Sequence, residues 1–276
     1  MAKNSSERDG FGSVAAQLLD RVREQHPLIH HITNLVVMND TANATLAFGA
    51  TPVMAHAREE VAEMVAVAGT LLLNPGTLAP EWVEAMVIAG RRANELGIPI
   101  VYDPVGVGAT EYRNATGERL LRELKVSVVR GNSGEVGALA GAGGVVRGVD
   151  SVEGVADPAA VATGLARRQG SVVAITGKRD IVSNGERTLG VDNGHPMLQT
   201  ITGSGCMATT AIAIFCAVES DHLIAAAAAL ACYGLAAQAA ARTSRGPGSF
   251  RVALLDALYR LTPAQVRAGV RVVEVG

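Results

Sequence analysis

The sequence predicts an α/β fold in which a mostly parallel central sheet carries helices on both faces. Two observations lead there. Short apolar runs alternate with helix-patterned stretches, the order that parallel strands joined by crossover helices require. Several of those runs also stop abruptly at a polar or glycine-containing patch.

In chain order, Asp40 to Phe48 and Arg58 to Ala68 read as helices, and Leu71 to Leu73 reads as a strand running into Asn74-Pro75-Gly76-Thr77. Pro80 to Leu96 has the next helical pattern, with Trp82, Ala85, Met86, Ile88 and Ala89 apolar and Gly97 as its stop. The strand Ile98 to Tyr102 ends at Asp103-Pro104-Val105-Gly106, and a helix over Thr116 to Leu124 follows. Val126 to Val129 runs into Arg130-Gly131-Asn132 ahead of a helix over Ser133 to Ala140. A glycine-rich link, Gly141 to Gly154, is the one flexible-looking stretch inside the chain. Asp157-Pro158 then supplies an N-cap and first helical residue for a helix ending near Gly170. Val172 to Ile175 ends at Thr176-Gly177. Ile181-Val182 and Thr188 to Val191 form a hairpin around Ser183-Asn184-Gly185, because Asn-Gly supplies the positive φ angles of a tight turn. The last third is helical: Cys206 to Val218, Leu223 to Ala241 and Ser249 to Tyr259. There is no internal repeat. One domain over 1–276 is expected, with 1–12 as a flexible lead.

Composition excludes several classes. With 49% hydrophobic and 18% charged residues among 276, the chain has ample material for a core and is not intrinsically disordered. Lys plus Arg (24) nearly balances Asp plus Glu (26), and aromatics are 3%, so neither the basic footprint nor the stacking platform of a nucleic-acid binder is present. Cys206, Cys216 and Cys232 make no CxxC pair and no zinc spacing, which points to a reducing compartment. The first twelve residues lack an apolar core for a secretory signal. Leu223 to Ala241 is long enough to span a membrane, but alanine dominates it, so a helix buried in a core is expected. A cytoplasmic protein with no membrane partner follows.

Ligands of open α/β sheets bind beyond the carboxyl ends of the strands. Asn74, Asp103, Arg130, Asn132 and Thr176 all fall there. Asp103 and Glu135 are candidate magnesium carboxylates, since magnesium takes one or two of these with water and phosphate oxygens; helix capping or a surface ion pair fits the same spacing. Thr202-Gly203-Ser204-Gly205-Cys206 precedes an apolar helix. Two glycines there let backbone approach a ligand, and the helix N-terminus favours an anion; a plain glycine-rich connector is the other reading. At that position the Cys206 thiol pKa is expected to fall. No G-x-x-x-x-G-K-[ST] occurs, because Gly177-Lys178 is followed by Arg179. The Gly203-x-Gly205-x-x-Ala208 run has no βαβ unit after it, which argues against a dinucleotide site. His30-His31 reads as a packed or capping pair, with a catalytic base as the alternative.

From Pro27 to Phe250 the chain resembles hydroxyethylthiazole kinase, a thiamin-salvage family of the ribokinase-like superfamily. The resemblance rests on ordered segments: Pro27–Asn34, Thr41–Asn43, Pro52–Ala57, Asp103–Thr110, Arg130–Asn132, Asn193–His195, Thr202–Cys206 and Gly246–Phe250. It implies ATP-dependent phosphorylation of the hydroxyethyl group of a methylthiazole alcohol. Residue by residue, it implies thiazole contacts from Met54, with Asn34 beside it, and from Gly203. Arg130 and Thr176 take ATP-binding positions, and Asp103 and Glu135 take the magnesium-associated ones. Cys206 stands where most ribokinase-like enzymes have an Asp base and this family has Cys. A homotrimer with sites at subunit boundaries is also implied, for which the apolar surplus of Leu223 to Ala241 offers a surface. Three positions depart from the family pattern: Lys178 where an acidic residue is usual, Pro75 for an aliphatic residue and Asp40 for an aromatic one. A kinase of another small alcohol, such as a hydroxymethylpyrimidine, and a catalytically silent ATP- or thiazole-binding protein are the alternatives.

Overall fold

The computed structural model describes residues 3–141, 145–147, 150–153 and 155–275. The chain opens with α1 (Lys3–Gln25), β1 (Leu28–Ile32), α2 (Met38–Phe48), β2 (Thr51–Val53), α3 (Val61–Ala66) and β3 (Thr70–Leu73). It continues through α4 (Pro80–Leu96), β4 (Ile100–Tyr102), α5 (Glu111–Glu123), β5 (Val128–Asn132) and α6 (Ser133–Ala140). A small hairpin, β6 (Val145–Arg147) and β7 (Asp150–Glu153), comes next, then α7 (Pro158–Gln169), β8 (Val172–Thr176), β9 (Asp180–Ser183) and β10 (Thr188–Val191). The end is α8 (Ser204–Cys216), α9 (His222–Thr243), α10 (Pro247–Arg260), α11 (Pro263–Gly269) and β11 (Val272–Glu274).

Among the described residues, nine strands make one sheet in the order β11-β10-β9-β8-β5-β4-β3-β1-β2. From β2 to β8 every pairing is parallel; the three pairings from β8 to β11 are antiparallel. Successive residues of each strand enter opposite layers, as the pleat demands. Leu72, Val101, Val128 and Ala174 join the core formed with α1, α2 and α8 to α11. Leu71, Leu73, Tyr102, Val129 and Val173 join the core formed with α3 to α7. The helix after β1 therefore packs on one face and the helix after β3 on the other. This divergence puts a crevice at the carboxyl ends of β1 and β3, where open α/β sheets take ligands.

The locally signalled elements match expectation. The α4 helix runs to Gly97, which is left-handed at φ 70°, and Asp157 caps α7 through Ala160 N. Most of α9 is buried against α8, α10 and the sheet, so its apolar length serves this chain's own core. That removes α9 as the oligomer surface the sequence suggested. Three other readings change. The α1 helix starts at Lys3, inside the stretch expected to be a flexible lead, because Ala15, Ala16, Leu18, Leu19 and Val22 bury in the core with α9 and α11. Its Arg23 donates from Nη1 to Leu261 O at 2.6 Å, closing the end of α10. The β9–β10 connection is no two-residue turn: only Gly185 of the Asn-Gly pair has positive φ, and Asn184 Oδ1 accepts from Glu186 N and Arg187 N. Of the glycine-rich link, 142–144, 148–149 and 154 lie outside the described residues, and β6 and β7 pair within it.

In the layer of α1, α2 and α8 to α11, Phe48 of α2 and Phe215 of α8 meet edge to face, with centroids 6.0 Å apart and planes at 86°. Both are fully buried. Phe215→Ala is expected to lower unfolding free energy by about 3–5 kcal/mol, as aromatic truncation in a close-packed core does. Urea denaturation checks this, and a loss under about 1 kcal/mol would show α2 and α8 less tightly coupled than the packing indicates.

Candidate active site

The polar residues that follow the parallel strands form a continuous hydrogen-bonded row in the order of the strands themselves. Asn34, after β1, donates from Nδ2 to Asn74 Oδ1 at 2.9 Å, after β3. Asn74 donates from Nδ2 to Asp103 Oδ2 at 3.3 Å, after β4. Arg130, within β5, places Nη1 3.6 Å from the same Asp103 oxygen and donates from Nη2 to Thr176 Oγ1 at the end of β8. Five strands thus contribute one residue each.

The row faces the start of α8. Gly203 stands at its N-cap with φ 83°, and a Cβ on Gly205 would come within 2.8 Å of Arg130 Nη1. Glycine is needed at both: one for its left-handed backbone, the other for the close approach of the guanidinium. Side chains cap α5, α6, α7 and α9, whereas α8 has no side-chain cap. Its first-turn N–H groups point out of the helix end with the positive end of the dipole, as an anion site needs. Thr209, one turn inside α8, donates from Oγ1 to Asp103 Oδ2 at 2.7 Å. Tyr233 of α9 donates from its hydroxyl to Ser204 O at 2.9 Å and so supports the turn from below.

Cys206 lies where the row meets this turn. Asn74 Nδ2 is 3.1 Å from its Sγ and Asn34 Nδ2 is 3.9 Å away. Its position at a helix start does not lower its pKa as the sequence suggested. Burial first, and then the charge of Asp103, push the thiol up to about 12, and the Asn74 contact only partly opposes them. Asp103 is fully buried and is also pushed upward, by desolvation that outweighs Arg130. Its Oδ1 is buried without a hydrogen-bond partner, as is Arg130 Nε.

Glu135 is at once a capping residue and a neighbour of this charge. Its Oε2 accepts from Asn132 N and its Oε1 from Gly106 N, both at 2.9 Å, while Asn132 Oδ1 accepts from Glu135 N. The capping reading of its spacing is therefore the geometry seen. Burial, then Asp103, push its carboxyl up to about 7. Met54, half-buried, follows edge strand β2 on one side of β1, whereas the Asn34 amide turns to the β3 side. Met54 and Asn34 thus follow neighbouring parallel strands, β2 and β1. His30 and His31 are buried within β1; His30 Nε2 meets Ala55 O at 2.8 Å, the packed role expected. Sequence reasoning left Asn74 as one strand-end residue among several and overlooked Thr209 and Tyr233. The signal for Thr209 was there: two hydroxyls, Thr209 and Thr210, interrupt an otherwise apolar helix.

Residues 19–264 match the family model described as the hydroxyethylthiazole kinase family. The chain belongs to the hydroxyethylthiazole kinase family. It is 64% identical over 265 residues to a protein of Chloroflexus aggregans named hydroxyethylthiazole kinase, covering 96% of this chain and 95% of that one. Among solved structures it resembles the hydroxyethylthiazole kinase protein of Pyrococcus horikoshii OT3, with TM-score 0.87, 43% identity, and 95% and 99% of the two chains covered. A ribokinase-like superfamily protein from Enterococcus faecalis shares the fold alone, at TM-score 0.62 and 14% identity over 86% of this chain and 87% of that one. The fold is thus the ribokinase-like α/β sheet expected, and the protein is a kinase. Within the hydroxyethylthiazole kinase frame, two of the three departures sit against this site: Asp40 pairs with Arg251, and the Pro75 carbonyl accepts from Arg113 Nη1 at 3.5 Å. Lys178 is exposed beyond β8.

The Cys206 environment gives a chemical test. A pKa near 12 leaves only about one thiol in 10⁴ ionised at pH 8. Iodoacetamide should modify Cys206 at pH 8 at least about 100-fold more slowly than a free thiol, with the rate rising through pH 10 without a plateau. Intact-mass spectrometry reads this directly, and prompt single alkylation at pH 7–8 mapped to Cys206 would contradict the assignment.

Proposed function

We propose that the protein transfers the γ-phosphoryl group of ATP to the hydroxyethyl group of 5-(2-hydroxyethyl)-4-methylthiazole, giving the thiazole phosphate for thiamin salvage. The observation that carries this is the uncapped start of α8 facing a row of strand-end polar residues, in a chain of this family. Phosphoryl transfer asks for positioning and for charge stabilisation on three oxygens, with little covalent chemistry from the protein. Backbone N–H groups of Ser204, Gly205 and Cys206 supply donors that need no reorganisation. Arg130, braced by Asp103 and Thr176, offers its remaining N–H groups to the nucleotide phosphates as a planar fork.

The residues beside Arg130 fit a divalent cation. Asp103 and Glu135 bring two carboxylates against one guanidinium, burial and then Asp103 raise the Glu135 pKa, and Asp103 Oδ1 has no hydrogen-bond partner among the described residues. Magnesium held through Asp103, with Glu135 acting through water, would neutralise phosphate charge. Glu135 meanwhile keeps the Asp103–Gly106 loop against α6 through its two backbone bonds. Gly203, Met54 and the strand-end Asn34 line the alcohol side in this reading, and Cys206 Sγ accepts the alcohol proton. The accepting form is the thiolate, a minor fraction at neutral pH, which becomes the thiol as it takes the proton; that fraction is asked for little when bond formation to the nucleophile lags behind loss of the leaving group, because the proton is then transferred late.

The active form in this reading is a cytoplasmic homotrimer with sites at subunit boundaries. Support comes from exposed Leu35 and Val36 directly after Asn34, exposed Leu46 on α2 and half-buried Met54 at the sheet edge. Leu35, Val36 and Met54 follow the carboxyl ends of β1 and β2, on the side this reading gives to the alcohol, and Leu46 adds exposed apolar surface on α2 for a second copy. Light scattering after size exclusion should give about three chain masses; a monomer fully active at micromolar concentration would refute the assembly.

ADP release coupled to a reporter, run across thiazole and pyrimidine alcohols, tests the activity. Selective turnover of the hydroxyethylthiazole is expected; preferential turnover of a pyrimidine-methanol, or ligand binding without ADP, would replace this reading. Within it, Arg130→Ala should raise KM for ATP. Cys206→Ala should lower kcat by about 100-fold with little change in ATP affinity, the lower range for general-base loss. Cys206→Asp should keep or raise kcat at saturating ATP while raising KM for ATP, because its carboxylate competes with phosphate at the start of α8. A covalent phosphocysteine trapped under turnover, with an inactive Asp variant, would exclude the base role.

A further inference from the structure

The glycine turn that opens α8 lies between two arginine–carboxylate pairs, and only one of them belongs to the row described above. On the Gly205 side stand Arg130 and Asp103. On the Gly203 side stand Asp40 of α2 and Arg251 of α10, joined by Arg251 Nε donating to Asp40 Oδ1 at 2.8 Å, with Nη2 donating to the same oxygen. Asp40 is buried, and its second oxygen, Oδ2, lies 3.8 Å from where a Cβ on Gly203 would sit. A carboxylate that close to a turn receiving phosphate works against the anion. The guanidinium of Arg251, half-exposed and bonded to the far oxygen, is the opposing charge.

We propose that Arg251 sets the charge of the phosphoryl-accepting turn: by pairing with Asp40 it cancels a carboxylate that would otherwise repel ATP from the Gly203–Cys206 N–H groups. Arg251 is in this sense a positioning residue, acting through Asp40. The proposal rests on the reading of that turn as the phosphate site. A buried acidic side chain beside an anion site is tolerable only with a cation to match it. The Arg251 stem lies on α10, so the charge balance of the turn depends on how α10 is seated against α2.

A mere bridge between α10 and α2 and a charge-setting pair predict different signs. For a bridge, losing either partner is equally harmful and losing both is no better. For charge-setting, Arg251→Met leaves Asp40 bare beside the turn and should weaken ATP binding by about tenfold, the scale of one unit charge about 7 Å away at an effective dielectric near 35. D40N removes the repelling charge and leaves the guanidinium, so its ATP affinity should stay at or above that of the unaltered protein. The double variant D40N/R251M should regain most of what R251M loses. The R251M loss should also shrink as salt is raised from about 50 to 500 mM, because the guanidinium is half-exposed and screened.

The measurement is ATP affinity with magnesium present, by calorimetry on the full chain, alongside kcat and KM from ADP release. Affinity in the order D40N at or above the unaltered protein, then the double variant, then R251M, supports the proposal whatever the turnover. D40N and R251M falling together, or neither moving, overturns it while leaving the kinase reading intact if ADP is still released. The predicted order with no alcohol phosphorylated overturns the kinase reading alone. No ATP binding by the unaltered protein overturns both.

Discussion

Asp103 is a carboxylate with no access to water at the carboxyl end of a central strand, and the arrangement of the site follows from the need to compensate it. A buried charge persists only when paired and hydrogen-bonded. Here each compensating group comes from a different element: Asn74 after β3, Arg130 on β5 and Thr209 on α8. Satisfying one oxygen, Oδ2, therefore fixes the end of the sheet against the start of α8. The same guanidinium that offsets Asp103 leans on Gly205 and Thr176, so the spacing between β8 and the glycine turn is set by that charge as well. Glu135 extends the constraint outward, since its two backbone bonds hold the loop after Asp103 to the capping box of α6.

Much of the fold was legible because its signals are local. Gly97 and Asp157-Pro158 mark helix ends by the backbone angles and capping they alone favour, and the structure uses them so. The central strands were legible as apolar runs buried on both faces. What escaped were elements whose identity depends on partners far away in sequence. Strands β2 and β11 are three residues each and lie at the sheet's two edges. The first helix carries an apolar stripe, but its polar opening residues read as a lead rather than as part of a helix. The Asn-Gly turn misled because Asn184 uses its side chain to accept two backbone bonds instead of adopting positive φ.

For the site the division is similar. Residues that end parallel strands must sit along one edge, so Asn74, Asp103, Arg130, Asn132 and Thr176 were identifiable as a set; Asn34 came only from the family resemblance, because β1 was not legible as a strand. Their order of bonding was not, because it follows the spatial strand order, in which β8 adjoins β5 and β1 adjoins β3. The Asp40–Arg251 pair spans 211 positions and belongs to no motif, so nothing local announces it. The thiol of Cys206 was misjudged for a related reason. Helix position alone favours a lowered pKa, but the neighbouring Asp103 comes from a different strand, and its charge together with burial reverses the sign.

That reversal makes physical sense of cysteine at the mouth of α8. Asp103 already puts one negative charge beside the turn, with Glu135 close behind it. A second ionised carboxylate on the first turn of α8 would compete with phosphate for the helix N-terminus and would add repulsion to an already crowded set of anions. A thiol held neutral avoids both effects. It leaves the N–H groups of Ser204 to Cys206 free, and the Asn74 amide, 3.1 Å from Sγ, stabilises the minor thiolate form. In the proposed reaction Cys206 would then serve as proton acceptor without occupying the anion-binding end of α8, and the scarcity of its thiolate is acceptable only because a loose transition state demands little from the base.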